Sequence, residues 1–156
     1  MLSSKNMRMI MPSGTELRSN VGNIMQKWQA ECDFYCSIAE LDEEDYNNSL
    51  SKGDFDIALI KLSGEFNSPY AYLNDFIFDN PQNYSGYKNR KFEHIMDSAL
   101  TAKDYNTAVN YYKEAEQLLI ESAVFVPLCV EKNFVFYSDK ISGLEYNPFL
   151  KIYDVI

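Results

Sequence analysis

Asp54, Asp56 and Glu65 bracket the apolar run "FDIALIKL", and paired carboxylates can cleave a glycosidic bond when two of them face it. The spacing here sets up no such pair. Asp54 stands beside the start of the run and Asp56 alternates to one face, which suits solvated or capping carboxylates. Three cysteines, Cys32, Cys36 and Cys129, are an odd number, so a disulfide framework is excluded. Cys32 and Cys36 lie four apart, but the one histidine, His94, is remote in sequence, and four ligands at zinc-like spacing cannot be assembled. The cysteines therefore read as small hydrophobes that fill space. No G-x-S-x-G, H-E-x-x-H or Walker loop occurs, and His94 reads as an ordinary helix-surface residue. Nothing in these groups supports catalysis, so the expectation is a protein that is not an enzyme and uses no metal or cofactor.

The elements that must carry these side chains fit one compact chain. With 156 residues, 46% hydrophobic and 15% aromatic, a core can be buried and a disordered chain is not expected. A formal net charge of −9 repels nucleic acid and anionic lipid, and no basic run offsets it. No apolar stretch approaches the roughly 18 residues of a membrane span, and "MLSSKNMRMI" lacks a signal peptide's apolar core.

"MRMIM" at 7 to 11 reads as a strand stopped by Pro12 and Gly14, and Ser13 with Glu16 forms a capping-box pattern. Leu17, Val21, Ile24, Met25 and Trp28 then make one apolar helical stripe. A second strand around 34 to 39 follows, then a short helix with acidic start in "LDEEDYNNSLSKG", ended by Gly53. The near-continuous apolar "FDIALIKL" reads as a third strand, buried on both sides and central in a parallel sheet. "DNPQNYSGYKN" at 79 to 89 reads as an ordered loop. A helix through Phe92, Ile95, Met96, Ala99 and Leu100 and another capped by Asp104 should pack antiparallel. "VFVPLCV" and "NFVFYS" read as strands flanking Glu131 and Lys132, and the tail from 141 as an irregular, packed segment.

Glu65 follows the third strand, where open parallel sheets hold ligands. Beside Gly64 and Pro69, with Phe66, Tyr70 and Tyr72 near, its carboxylate could pair with a ligand ammonium. Equally, it could cap a helix that begins near Pro69. Both readings stand on periodicity alone. A separate reading starts from "DYNTAVNYYKEAEQLL", which resembles a tetratricopeptide helix with Ala108 and Ala115 at close-packing positions. Such a protein-interaction scaffold needs several units of about 34 residues, and no second copy occurs.

An ordered series of segments carries a more extensive likeness: the helix ending at Trp28, "GDFDIALI", the "SPYAYL" turn, "NYSGYKNRKFEHIMDSAL", "YKEAEQLLIESAVFVPL" and "GLEYNPFLKIYDV". The chain resembles the C-terminal lobe of the oligopeptide/dipeptide substrate-binding proteins of ABC transporters (family 5 extracellular solute-binding proteins). The resemblance implies an α/β lobe of the type II periplasmic-binding-protein-like fold, a mixed sheet with a parallel β-α-β-α-β start, flanking helices and C-terminal β strands. It implies a single lobe over 1–156, a fragment of a two-lobe protein, with the tail 141–156 crossing back toward a missing N-terminal lobe.

Function is implied in the same way. The protein would capture a solute, foremost oligopeptides, between two lobes that close by hinge motion, and deliver it to an ABC-transporter membrane permease. It would work outside the cytoplasm, periplasmic or as a cell-surface lipoprotein, with no signal in this segment and no nucleic-acid partner. In peptide-binding members a carboxylate after the third strand receives the peptide α-ammonium, and Glu65 matches it. Main chain at Lys61 and Ser63 would bond an extended ligand. The implied ligand-binding set is Lys61, Leu62, Ser63, Gly64, Glu65, Phe66, Asn67 and Glu131. Three residues depart from the pattern: Glu65 for aspartate, Leu62 for tryptophan, and Ser68 for an acidic residue before the proline. These keep a non-peptide cargo open as the alternative, a nickel chelate, haem or sugar.

Overall fold

The computed structural model describes residues 7–64, 66, 68–130, 136 and 138–140, and the backbone of 144–147 and 152–155. The chain divides into two compact units, Met1–Leu62 and Ser63–Ile156, described in turn.

The first unit is a three-stranded parallel sheet of β1 (Met7–Pro12), β2 (Cys36–Leu41) and β3 (Ile57–Ala58), in the order β2-β1-β3. Between them run α1 (Arg18–Cys32) and α2 (Glu43–Lys52). Because α1 leads from β1 to one neighbour and α2 carries the chain to the other side, β1 becomes the middle strand. Its Met9, Ile10 and Met11 are all buried. This corrects the expectation that "FDIALIKL" is the central strand: among the described residues β3 pairs only with β1, over Met9↔Ile57 and Ile10↔Ala58, and Ile60 is exposed. Apolar runs alone do not distinguish the middle of a sheet from its flank.

Met9 and Met11 face α1, where Val21 and Met25 pack on them with Cys36, Ile38, Ile57 and Leu59. The Ser13–Glu16 capping box does not form. α1 starts at Arg18 with Leu17 as a cap that makes no side-chain bond, and the Ser13 amide instead donates to Leu41 O (2.7 Å), extending the β1–β2 ladder. α2 follows its sequence signals closely. Asp42 accepts from the Asp45 amide, Glu43, Glu44 and Asp45 fill the positive end, Lys52 lies in the last turn and Gly53 ends it at φ 66°. Tyr46 and Leu50, four apart, are buried on α2, which packs against β1 and β2.

The second unit is built on α4 (Arg90–Leu100) and α5 (Tyr105–Glu121), preceded by the single turn α3 (Tyr70–Leu73) and a 3-10 turn over Asn74–Phe76. Phe92, Ile95, Met96 and Ala99 of α4 meet Tyr112, Ala115 and Leu119 of α5, with Leu73, in one buried cluster. Lys91, near the start of α4, reaches Glu114 in the second half of α5 (3.6 Å), as an antiparallel hairpin requires. Asn89 and Asp104 cap the two helices. The loop before α4 is tied by Asn83, whose Nδ2 donates to Ile77 O and Tyr87 O while its Oδ1 accepts from the Tyr87 amide and the Ser85 hydroxyl.

"VFVPLCV" forms no strand: residues 124–130 run as irregular chain, with Val126, Leu128 and Val130 exposed. Strand propensity without a ladder partner, and with Pro127 withholding a donor, does not make a strand. Most of "NFVFYS" lies outside the described residues. The tail is more regular than expected, since β4 (Leu144–Asn147) and β5 (Ile152–Val155) pair antiparallel.

Candidate functional site

The first unit places its topological switch between β1 and β3, because the chain leaves β1 toward β2 and returns on the opposite side. Ligands of open α/β sheets lie outside the carboxyl ends of strands at such a point. There, β1 ends in the Ser13–Gly14 turn, with Gly14 at φ 74°, a conformation that favours glycine. After β3 the Leu59 amide donates to Ile10 O (3.0 Å), prolonging the ladder by one bond. The Tyr46 hydroxyl donates to Leu59 O at 2.6 Å, so α2 holds this carbonyl at the end of the ladder. Strand alternation then turns the main chain of Ala58 and Ile60 away from β1. Lys61 is exposed and Leu62 half-buried.

The other candidates belong to the second unit. Ser63 is exposed, while Gly64 lies under the Tyr72 ring: a Cβ built on Gly64 would stand 2.8 Å from Tyr72 Cε2 and Cζ. Phe66, 48% exposed, stacks on Tyr70 with centroids 6.4 Å apart and planes 25° from parallel. Tyr70 packs in turn on the buried cluster of α4 and α5. Ser68 Oγ accepts from the Tyr70 amide (3.3 Å) at the start of α3. Burial pushes the Tyr112 hydroxyl up, so it is a neutral phenol at physiological pH. Glu65, Asn67 and Glu131 lie outside the described residues.

The remaining titratable groups do structural work. Arg8 binds the Asp54 carbonyl and carboxylate, each at 2.7 Å, and the Asp56 carboxylate accepts from the Arg8 amide, so both carboxylates brace the beginnings of β1 and β3. A polar hollow of about 280 Å³ beside them, lined by Arg8, Asp45, Asn48, Lys52 and Asp54 among others, contains the Arg8–Asp54 ion pair. His94 is exposed on α4. Cys32 and Cys129 are also exposed, correcting the expectation that all three cysteines fill space; Cys36 alone is half-buried in the sheet cluster, where burial raises its thiol pKa. Among the described residues, no group of three or more His, Cys, Asp or Glu could hold a metal ion, and no helix is long and apolar enough to cross a membrane.

Sequence reasoning missed Tyr46, which sits on the apolar face of a helix, where its pattern reads as core, and only the packed structure shows which carbonyl its polar tip meets.

A scan of protein-family profiles finds no match. The "Probable D,D-dipeptide-binding periplasmic protein DdpA" of Escherichia coli (strain K12) is 30% identical over 107 residues, 65% of this chain and 20% of that protein. Among solved structures, the pheromone receptor PrgZ, described for its mode of peptide binding, superposes with a TM-score of 0.74 at 20% identity over 96% of this chain and 29% of its own. The Escherichia coli murein tripeptide binding protein MppA superposes with a TM-score of 0.72 at 18% identity over 76% and 23%. The chain thus spans about a fifth of the length of the curated relative. The architecture is that of the type II periplasmic-binding-protein-like fold. The chain is thus similar over most of its length to proteins named for dipeptide and peptide binding.

Proposed function

We propose that this chain is the C-terminal lobe of an extracytoplasmic substrate-binding protein that captures oligopeptides for an ABC importer. The supporting observation is the state of β3. Among the described residues its ladder to β1 ends with the Leu59 amide on Ile10 O, so the chain leaves β3 through Ile60 to Leu62 at the carboxyl ends of the strands. An extended peptide added there gains affinity from main-chain bonds at Lys61 and Ser63 without reading side chains. Glu65 receives the peptide α-ammonium, Phe66 offers apolar contact area, and Leu62, Gly64, Asn67 and Glu131 complete the lining. The parent protein is a binder and not a catalyst; its other lobe closes the cleft and a membrane permease accepts the cargo.

The relatives support peptide as the cargo, since three of them are described as binding a D,D-dipeptide, a murein tripeptide and peptide. Two of those names also carry the word periplasmic or belong to proteins of that description, in keeping with an extracytoplasmic site of action. Calorimetry of the full-length protein with tri-alanine and N-acetyl-tri-alanine tests the reading. Truncating a desolvated ammonium–carboxylate pair costs about 2 kcal/mol or more, roughly 30-fold in affinity. Acetylation should therefore weaken binding to that extent, and equal affinity for the two peptides would remove the ammonium role.

A further inference from the structure

We propose that Pro12 and Tyr46 are paired positioning residues: the proline ends the β1–β3 ladder and the tyrosine hydroxyl takes the carbonyl this leaves, so that the edge of β3 passes from β1 to the ligand. The proposal deepens the proposed function and rests on ligand main chain docking at the end of β3. All the groups it uses lie in the first unit.

Backbone directions along β1 show what Pro12 withholds. The Met7 amide donates to Tyr35 O and the Ser13 amide to Leu41 O, so the odd-numbered residues of β1 face β2. Arg8 O accepts from the Asp56 amide and Ile10 O from the Leu59 amide, so the even-numbered residues face β3. Pro12 is the next of these, the last residue of β1 and still in register with Leu41 of β2. In a parallel ladder, a residue whose amide donates to one partner accepts through its own carbonyl from the amide two positions further along that partner strand. The Leu59 amide donates to Ile10, so the donor due to Leu59 O is the amide of residue 12, and proline has none.

The missing donor comes from α2. β2 ends at Leu41 beside Pro12, Asp42 caps the helix and Tyr46 follows one turn later, so the chain that pairs with Pro12 also delivers the phenol. Its hydroxyl donates to Leu59 O at 2.6 Å from a side chain only 8% exposed. The two donors differ in direction. An amide at position 12 would hold Leu59 O within the sheet and carry the pairing further along β1. A hydroxyl from α2 satisfies the same carbonyl from the helix and leaves the pairing finished, just where β1 gives way to its turn, with Gly14 at φ 74°.

A mutant cycle on the full-length protein tests this with Tyr46→Phe, Pro12→Ala and the double variant, reading hydrogen exchange without ligand and tri-alanine affinity by calorimetry. Tyr46→Phe should speed exchange of the Leu59 amide roughly five- to tenfold, but less than about twofold once Pro12→Ala restores an amide donor at position 12. The double variant separates positioning from stability. Its donor comes from β1, so Leu59 exchange returns to the wild-type rate while tri-alanine binds about fivefold more weakly, the factor by which one net hydrogen bond favours the edge paired to β1. An equal Tyr46→Phe effect in both backgrounds, or a double variant that recovers tri-alanine affinity together with exchange, overturns the proposal. A wild type that shows the exchange cycle yet binds no tri-alanine overturns the peptide reading and leaves the roles of Pro12 and Tyr46 in the ladder standing.

Discussion

Replacing Tyr46 by Phe removes one oxygen atom and tests whether α2 holds the end of β3. The hydroxyl donates to Leu59 O at 2.6 Å from a side chain only 8% exposed, so the substitution deletes a short hydrogen bond and leaves the ring packed. A net intramolecular hydrogen bond contributes about 1 kcal/mol, and the half-buried Leu59 carbonyl regains water only in part, which sets the expected loss at about 1 to 1.5 kcal/mol. That corresponds to roughly five- to tenfold more frequent opening at the β3 end. The Leu59 amide, bonded to Ile10 O, is the reporter: its hydrogen exchange should accelerate by that factor while the Met9 to Met11 amides of the middle strand keep most of their protection. Unaltered Leu59 exchange would refute the anchoring role. A loss above about 3 kcal/mol in urea unfolding would refute it differently, pointing to a packing defect of the kind that follows cavity formation.

Other substitutions probe the second unit. Phe92 is fully buried and meets Tyr87 edge-on at 5.6 Å, so Phe92→Ala should cost about 3 to 5 kcal/mol in urea unfolding. Asn83→Ala removes three carbonyl contacts and the acceptor for the Tyr87 amide, with an expected loss of about 2 kcal/mol and faster proteolytic nicking between residues 77 and 87. The Asp104 carboxyl is held below its ordinary 3.8 by the Thr107 amide and hydroxyl. A lowered folded pKa means that this cap's electrostatic contribution is complete above the unfolded value and disappears as pH falls through the folded one. Asp104→Asn, which keeps an acceptor but no charge, should flatten the dependence of urea midpoint on pH below about pH 4. An identical acid slope in wild type and variant would contradict the assignment.

Local signals were the legible part of this fold. The Leu17-to-Trp28 stripe, the Asp42 and Gly53 ends of α2, and the Asp104 cap each depend on residues within one or two turns, and each appears where periodicity and capping chemistry put it. Strand order was not legible, because the centrality of β1 follows from which way two crossovers run. The Ser13–Glu16 pattern lost to a competing backbone bond from Ser13 to Leu41, a partner 28 positions away and invisible to local reasoning. "VFVPLCV" had the propensity of a strand and no ladder to join, whereas the tail found one within itself. At the site, the position of the segment after β3 was legible from the end of an apolar run followed by glycine and proline. Its supports, Tyr46 and Tyr72, come from elements whose neighbours only tertiary packing supplies.

The central claim, that the chain supplies the ammonium-binding carboxylate of a peptide receptor, is tested most directly by one calorimetric cycle on the full-length protein: wild type and Glu65→Gln, each with tri-alanine and N-acetyl-tri-alanine. The account predicts that either change alone weakens binding roughly 30-fold and that acetylation adds nothing once Glu65 is neutral. Undiminished affinity of Glu65→Gln for tri-alanine, or an acetylation penalty that persists in the variant, would contradict it.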